Sequence, residues 1–449
     1  MSKQRIQLSD HFTYPRLLRF VLPCIGTMLF TSIYGIVDGL CVSNFVGKTA
    51  FAAVNLIMPL PMLLGTIGFM LGTGGSAIVG ITLGEGDQKK ADRYFTLFLL
   101  AALVSVSVLA VLGIVFLRPI AVLLGAKGEL LDYAVRYGRI LMVSLPTFAL
   151  QNMFQSFFVT AEKPHLGFWF TVGAGCTNMV LDVLMVGVWG WGVEGAAIAT
   201  FISQLVGGVL PVFYFIDRSN SSRLHLCQTK VYGGVLRDAC INGSSELMTN
   251  LSMSLVNILY NYQLLRFAGE NGVAAYGVIM YAAFLFVAVF VGYAVGSAPI
   301  VSFHYGARNH AEVHNLYRKS LRLIAVVAVT LTLASMFIIP CVARVFVGYD
   351  AELLALTSRA FRLYALSFLI MGFNVYASSF FTALGDGVTS ALISFLRTLA
   401  FQVIAILLLP LLLGIDGIWL AVTAAELAAL AVSAAMLLTK DKVFHYRKV

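Results

Sequence analysis

The chain has 449 residues, of which 59% are hydrophobic and only 11% charged, with a mean hydropathy of +0.89 and a formal net charge of +9. So little polar surface excludes a soluble globular protein and leaves a polytopic membrane protein. The positive charge is spread along the chain and not gathered on one face with interleaved aromatics, which excludes nucleic acid as a partner.

Apolar stretches of about 20 residues or more, enough to cross a bilayer, are predicted at 17–42, 51–80, 94–118, 134–159, 166–189 and 193–216, then at 239–265, 273–300, 317–343, 358–382, 388–413 and 416–438. The first follows a polar arm and has no small-residue cleavage pattern, so it reads as a retained helix. It carries Asp38. In the loop behind it, Gly47-Lys48-Thr49 ends like a phosphate-binding loop, but Val42 stands where that loop needs its first glycine. Gly72, Gly74 and Gly75 lie inside the second span, where small residues let helices approach closely. The fourth span brings Gln151, Asn152, Met153 and Gln155, the fifth Asn178 and Asp182, and the sixth Thr200.

A polar segment, 217–238, follows and separates residues 1–216 from 239–449. Shifting the chain by 222 residues superposes one part on the other without a gap: Gly74 falls on Gly296, Gly84 on Gly306, Asn152 on Asn374, Phe158 on Phe380 and Gly195 on Gly417. Six spans per copy return the second copy to the side where the first began. The expected fold is therefore all-α, with twelve transmembrane helices in two parallel-repeat six-helix lobes around a central cavity. Secondary transporters use such repeats to rock between two openings. With both termini in the cytoplasm, twenty Lys and Arg fall on the inner side and nine on the outer, which orients the chain; the membrane expected is the cell's inner (plasma) membrane.

Ionisable residues inside a span are functional candidates because hydrocarbon penalises charge. Asp38, Asp182 and Thr200 each lie about seven residues from the outer loops, roughly 10 Å deep. Asn178 precedes Asp182 by one helical turn and shares its face. Two carboxylates in one low-dielectric pocket cannot both ionise cheaply, so the pair holds either a proton or a cation with amide and hydroxyl oxygens. The competing account is a polar knot that only locks helices together. In the second copy, Tyr260 and Ile404 replace these acids. Arg397 and Glu426 both fall near the midplane and are expected to form a structural ion pair, with a cavity role for Glu426 as the rival.

The stretches Val37-Asp38, Phe45-Val46-Gly47 and Ala52-Ala53-Val54-Asn55 with Pro59, then Asn178 to Asp182 and Gly192-Val193-Glu194-Gly195, resemble signatures of the MATE (multidrug and toxic compound extrusion) family. Asn242-Gly243-Ser244-Ser245-Glu246 resembles its MepA-like branch. The resemblance covers essentially the whole chain and implies proton- or sodium-driven export of amphipathic, often cationic, compounds. It implies a coupling site at Asp38, Asn152, Asn178, Asp182 and Thr200, with Na⁺ held at Asp38, Asn178 and Asp182 if sodium is the driver, and a cavity acid for substrate or proton contact at Glu246, with a helix-terminal role near the inner surface as its rival. Other members carry an acid in helix 10, where this chain has Asn374. Gln151, Met153, Gln155 and Tyr281 are further cavity candidates. Beyond H⁺ or Na⁺, no cofactor, metal or catalytic residue is expected, and the chain reads as no enzyme. A monomer in lipid suffices. The alternative is a flippase for lipids or lipid-linked precursors, which would favour a basic cavity.

Overall fold

The computed structural model describes residues 6–46, 48–348 and 350–446, without the side chains of residues 36, 38–44, 48, 51, 340, 342, 345 and 346. The described residues contain helices and no strand. In the first half, α1 is Tyr14–Phe45. Helix α2 joins Lys48–Ile57 to Pro59–Gly84, α3 is Gln88–Leu123, and α4 is Gly128–Thr160. Helix α5 is Pro164–Asp182 prolonged by a π turn over Val183–Val188, and α6 joins Gly192–Gly208 to Leu210–Ile216.

In the second half, Gly233–Gly306 is one run of helical hydrogen bonds broken at Gly269, whose φ of 58° and ψ of −149° only glycine adopts freely. That reversal separates α7 (233–268) from α8 (270–306). Helix α9 is His310–Val347, and α10 joins Ala351–Ala365 to Phe368–Ala383 across a 46° bend. Helix α11 runs from Gly387–Phe395 through a π turn, Leu396–Ala400, into Phe401–Leu413. Helix α12 is Ile415–Thr439, and a single turn, α13, is Asp441–Phe444.

Twelve crossings are thus traced among the described residues. Hydropathy alone singles out nine helices, or ten with the bent α10 pair. Splitting the long run at Gly269 adds one. Helix α4 adds the last; it is less apolar because Gln151, Asn152, Gln155 and Ser156 lie along it, and most of its final turns are buried. A helix ringed by other helices does not need an apolar surface all round.

The repeat is visible as paired contacts. A Cβ at Gly84 would overlap the Phe303 carbonyl oxygen, and a Cβ at Gly306 would overlap that of Ile81. Since 81 and 303 are also 222 apart, each contact is the symmetry image of the other. The pseudo-twofold axis therefore passes between α2 and α8. Gly74 meets the backbone of Ala239 and Gly243 on α7, and its twin Gly296 meets the side chains of Val21 and Cys24 on α1. All these contacts lie toward the end of the bundle where α1 begins and α12 finishes, so that end is sealed, with backbone against backbone at Gly74, Gly84 and Gly306. The caps repeat too: Asp87 Oδ1 accepts from Lys90 N at 3.0 Å to start α3, and Asn309 Oδ1 accepts from Glu312 N at 3.2 Å to start α9.

The arm before α1 bridges the sealed end. Leu8 N donates to Glu162 Oε1 in the α4–α5 loop (2.9 Å), and Phe12 N donates to Glu312 Oε1 on α9 (2.9 Å). His11 Nδ1 lies 2.6 Å from Glu312 Oε2, while Asn315 and Lys319 donate to the Phe12 carbonyl at 3.1 and 2.6 Å. Arg223, from the segment between the lobes, pairs with Glu162 at 2.6 Å and lies over the Phe303 ring.

Asp386 caps α11. It accepts from Thr389 N and Thr389 Oγ1 and pairs with Lys440 Nζ at 2.8 Å. Half burial pushes its carboxyl up, but the bonds from Lys440 and Thr389 outweigh burial and hold it below the usual carboxylate range. A depressed folded pKa stabilises fully above the unfolded value of about 3.9 and fades as pH falls through the folded value. Asp386→Asn should flatten the loss of thermal stability between about pH 5 and 3. A melting curve with the wild-type acid limb would show that other carboxylates carry it.

Candidate functional site

Two polar regions lie within the apolar bundle. The first comprises buried polar side chains of α4, α5 and α6, which pack on one another. Asp182 is 0% exposed and ends the regular part of α5, directly before the π turn. Asn178, one turn earlier, is 2% exposed, and Asn152 on α4 is 5% exposed. The Nδ2 groups of both asparagines are buried with no hydrogen-bond partner among the described residues. Such donors cost about 1–3 kcal/mol each when left unsatisfied, so polarity is retained here against the packing. The Thr200 hydroxyl is occupied, donating to Ala196 O at 3.0 Å. The Asp38 side chain lies outside the described residues.

The second region is a cavity of about 320 Å³ enclosed mainly by α7, α8, α10, α11 and α12, with Thr73 and Ser76 of α2 and Ser156 of α4 closing it toward the first half. Its wall is largely apolar and aromatic. Tyr260 and Tyr276 stack at 5.0 Å, and Tyr364, Phe284, Met253, Met280 and Met371 surround them. Glu246, Arg397 and Glu426 reach the same space. Arg397 Nη1 lies 3.5 Å from Glu426 Oε1, and Asn374 Nδ2 donates to Glu426 Oε2 at 2.7 Å and to the Glu426 carbonyl at 2.9 Å.

The floor explains the Asn242 to Glu246 motif. Asn242 Nδ2 donates to Thr382 O on α10 at 2.9 Å, and a Cβ on Gly243 would overlap the Met70 carbonyl of α2. Ser245 and Glu246 then face the cavity. Beside them, Ser378 lies 2.8 Å from Ser390 Oγ and 2.9 Å from Ser394 Oγ, tying α10 to α11.

Of the expected cavity residues, only Glu246 lines this space. Gln151 is buried against Gly207, and Met153 is fully buried where Gly72 meets α4. Gln155 borders a narrow cleft with Cys24, Thr27 and Met28, and Tyr281 is 44% exposed on α8. In this structure these four face away from the cavity, because rotation about a helix axis decides which face a side chain takes, and sequence position alone does not give rotation. Tyr260 was missed although the 222 shift places it at the position of Asp38.

Twelve crossings in two symmetry-related lobes around a cavity, sealed at one end, are the architecture of a two-lobe membrane transport protein. The chain belongs to the MatE family, whose profile matches it twice, over residues 23–184 and 247–408. Among relatives, the multidrug export protein MepA of Staphylococcus saprophyticus is 21% identical over 431 residues, covering 95% of this chain and 94% of its own length. MepA of Staphylococcus aureus is 21% identical over 432 residues, covering 96% and 95%. Among solved structures, an outward-facing multidrug resistance MATE family transporter of the MOP superfamily has a TM-score of 0.92 at 22% identity, covering 99% of both chains. A MOP superfamily transporter from Pyrococcus furiosus, described by a reverse polarity of its binding pocket, has 0.90 at 22% identity and covers 100% of each chain. Both show the fold.

Proposed function

We propose that the protein exports amphipathic, often cationic, organic compounds by alternating access, exchanging them for H⁺ or Na⁺. The observation that carries this reading is the cavity: an apolar, aromatic space of about 320 Å³ with an inward carboxylate, Glu246, above a sealed end. Aromatic faces and thioethers accept varied organic shapes. The names of the two staphylococcal relatives support the same reading. The alternative, a flippase of lipids or lipid-linked precursors, calls for a basic cavity, whereas two carboxylates here outnumber one guanidinium.

The coupling ion is assigned to the first-lobe group, Asp38, Asn152, Asn178, Asp182 and Thr200, with no other cofactor. Residues 1–216 and 239–449 are the two lobes, and 217–238 is the linker. The Lys and Arg bias supports a cytoplasmic position for the sealed end and both termini. The site is the plasma membrane, and a monomer in lipid suffices because the cavity lies within one chain.

In proteoliposomes, efflux of a fluorescent organic cation should follow an imposed pH gradient or Na⁺ gradient. Asp38→Asn and Asp182→Asn should each slow it by at least about tenfold, because each removes an ionisable group from the coupling site. Gradient-driven efflux at the wild-type rate in both variants would move the coupling site out of the first lobe. No movement of any cation under either gradient would favour the flippase.

A further inference from the structure

The charges of the cavity do not balance. Among the described residues its only ionic lining groups are Glu246, Glu426 and Arg397, two carboxylates against one guanidinium. Glu426 is 1% exposed, and its Oε2 is fixed by the Asn374 amide. Arg397 reaches its Oε1 at 3.5 Å, longer than the roughly 2.7–2.9 Å of a tight charge-assisted bond. The Glu246 carboxylate has no hydrogen-bond or ion-pair partner among the described residues, its backbone carbonyl alone accepting from Asn250 Nδ2 at 2.9 Å, and Arg397 is the cation lining the same cavity. The guanidinium stands on the π turn Leu396–Ala400, a local widening of the helix often found at functional sites.

We infer that Arg397 is a tethered counter-ion, shared between Glu426 and Glu246 in the empty cavity and withdrawn onto Glu426 when an organic monocation occupies Glu246. This rests on the efflux reading and adds a rule to it: the cavity takes one positive charge at a time. A dication finds only one uncompensated carboxylate and leaves its second charge unpaired in a low-dielectric space. Arg397 is then a specificity-determining residue.

The test is equilibrium binding in lipid nanodiscs of two quaternary ammonium dyes with the same hydrocarbon body, one singly and one doubly charged. Wild type should prefer the monocation by about tenfold or more, given the cost of an unpaired buried charge. Arg397→Gln should erase or invert that preference, and Arg397→Lys should keep it. Glu426→Gln frees Arg397 to neutralise Glu246, so monocation affinity should fall as far as in Glu246→Gln. Combining Glu426→Gln with Arg397→Gln should restore it. A wild-type preference in Arg397→Gln, or wild-type monocation affinity in Glu426→Gln, overturns the counter-ion and leaves the efflux reading standing. If Arg397→Gln does not fold, the Glu426→Gln and Glu246→Gln measurements decide alone. No binding of either dye to wild type sinks the efflux reading and the counter-ion with it.

Discussion

Replacing Gly84 and Gly306 together by valine will hold the two lobes apart at the end that carries the termini, and transport will fall by at least about tenfold. At each position a Cβ would overlap a carbonyl oxygen of the opposing helix, Phe303 O or Ile81 O. Backbone cannot turn aside as a side chain can. Overpacking costs roughly 1–3 kcal/mol per site, and two sites acting on one closure shift its equilibrium by about tenfold or more for each 1.4 kcal/mol. Helix propensity does not oppose the change, since both glycines end their helices and valine is no worse a helix former than glycine. Lost closure would therefore report the contact and not a weakened helix. Spin labels at the exposed, symmetry-related positions Lys89 and Ala311, in a background without native cysteines, should show a longer distance in the double variant. Alanine at Gly233 or Gly277, where a Cβ meets nothing within 4 Å, should change neither distance nor transport. An unaltered distance with normal transport in the double variant would show that the lobes close elsewhere.

The second large effect concerns the arm. Glu312→Ala removes the acceptor for Phe12 N and Asn315 Nδ2 and the partner of His11, all on a carboxylate only 7% exposed. Hydrogen bonds to charged groups are worth about 1.5–3 kcal/mol each, so the arm should undock from the second lobe while Leu8 stays on Glu162. Hydrogen exchange at the Phe12 amide should accelerate by about a hundredfold, which corresponds to some 2.8 kcal/mol. Exchange at Leu8 should rise far less. Glu162→Ala should reverse that order, and would also release Arg223. Equal acceleration at both amides in either variant would mean that the arm docks as one unit.

The duplication and the number of crossings were legible in the sequence because both are written in spacing. Gly84 and Gly306 showed as a pair by register long before their reciprocal contact was visible. The helices outrun the apolar stretches, as in α9 (310–347 against 317–343), because polar caps such as Asn309 start them beyond the apolar band. The split of the long run was legible only as a gap between two apolar stretches, and Gly269 supplies its cause. Depth arithmetic brought Arg397 and Glu426 to one level. It does not reach the azimuth of Gln151, Met153, Gln155 and Tyr281, which depends on how α4 and α8 pack on their neighbours. The clasp made by the arm was illegible for another reason. Its bonds run from backbone amides, which every sequence has, to acids 154 and 300 residues away.

The reciprocal seam gives the molecule the logic of a twofold dimer whose subunits share one chain. In a true homodimer a substitution appears on both sides at once. Here it appears on one, so each half can drift while the seam between them keeps its symmetry. The drift is already visible at the seam's edge, where Gly74 meets backbone but its twin Gly296 meets the side chains of Val21 and Cys24. It has gone further inside, where Tyr260 occupies the twin position of Asp38. A covalently fused pair can thus divide its labour, with a motion common to both halves and an interior specialised in each.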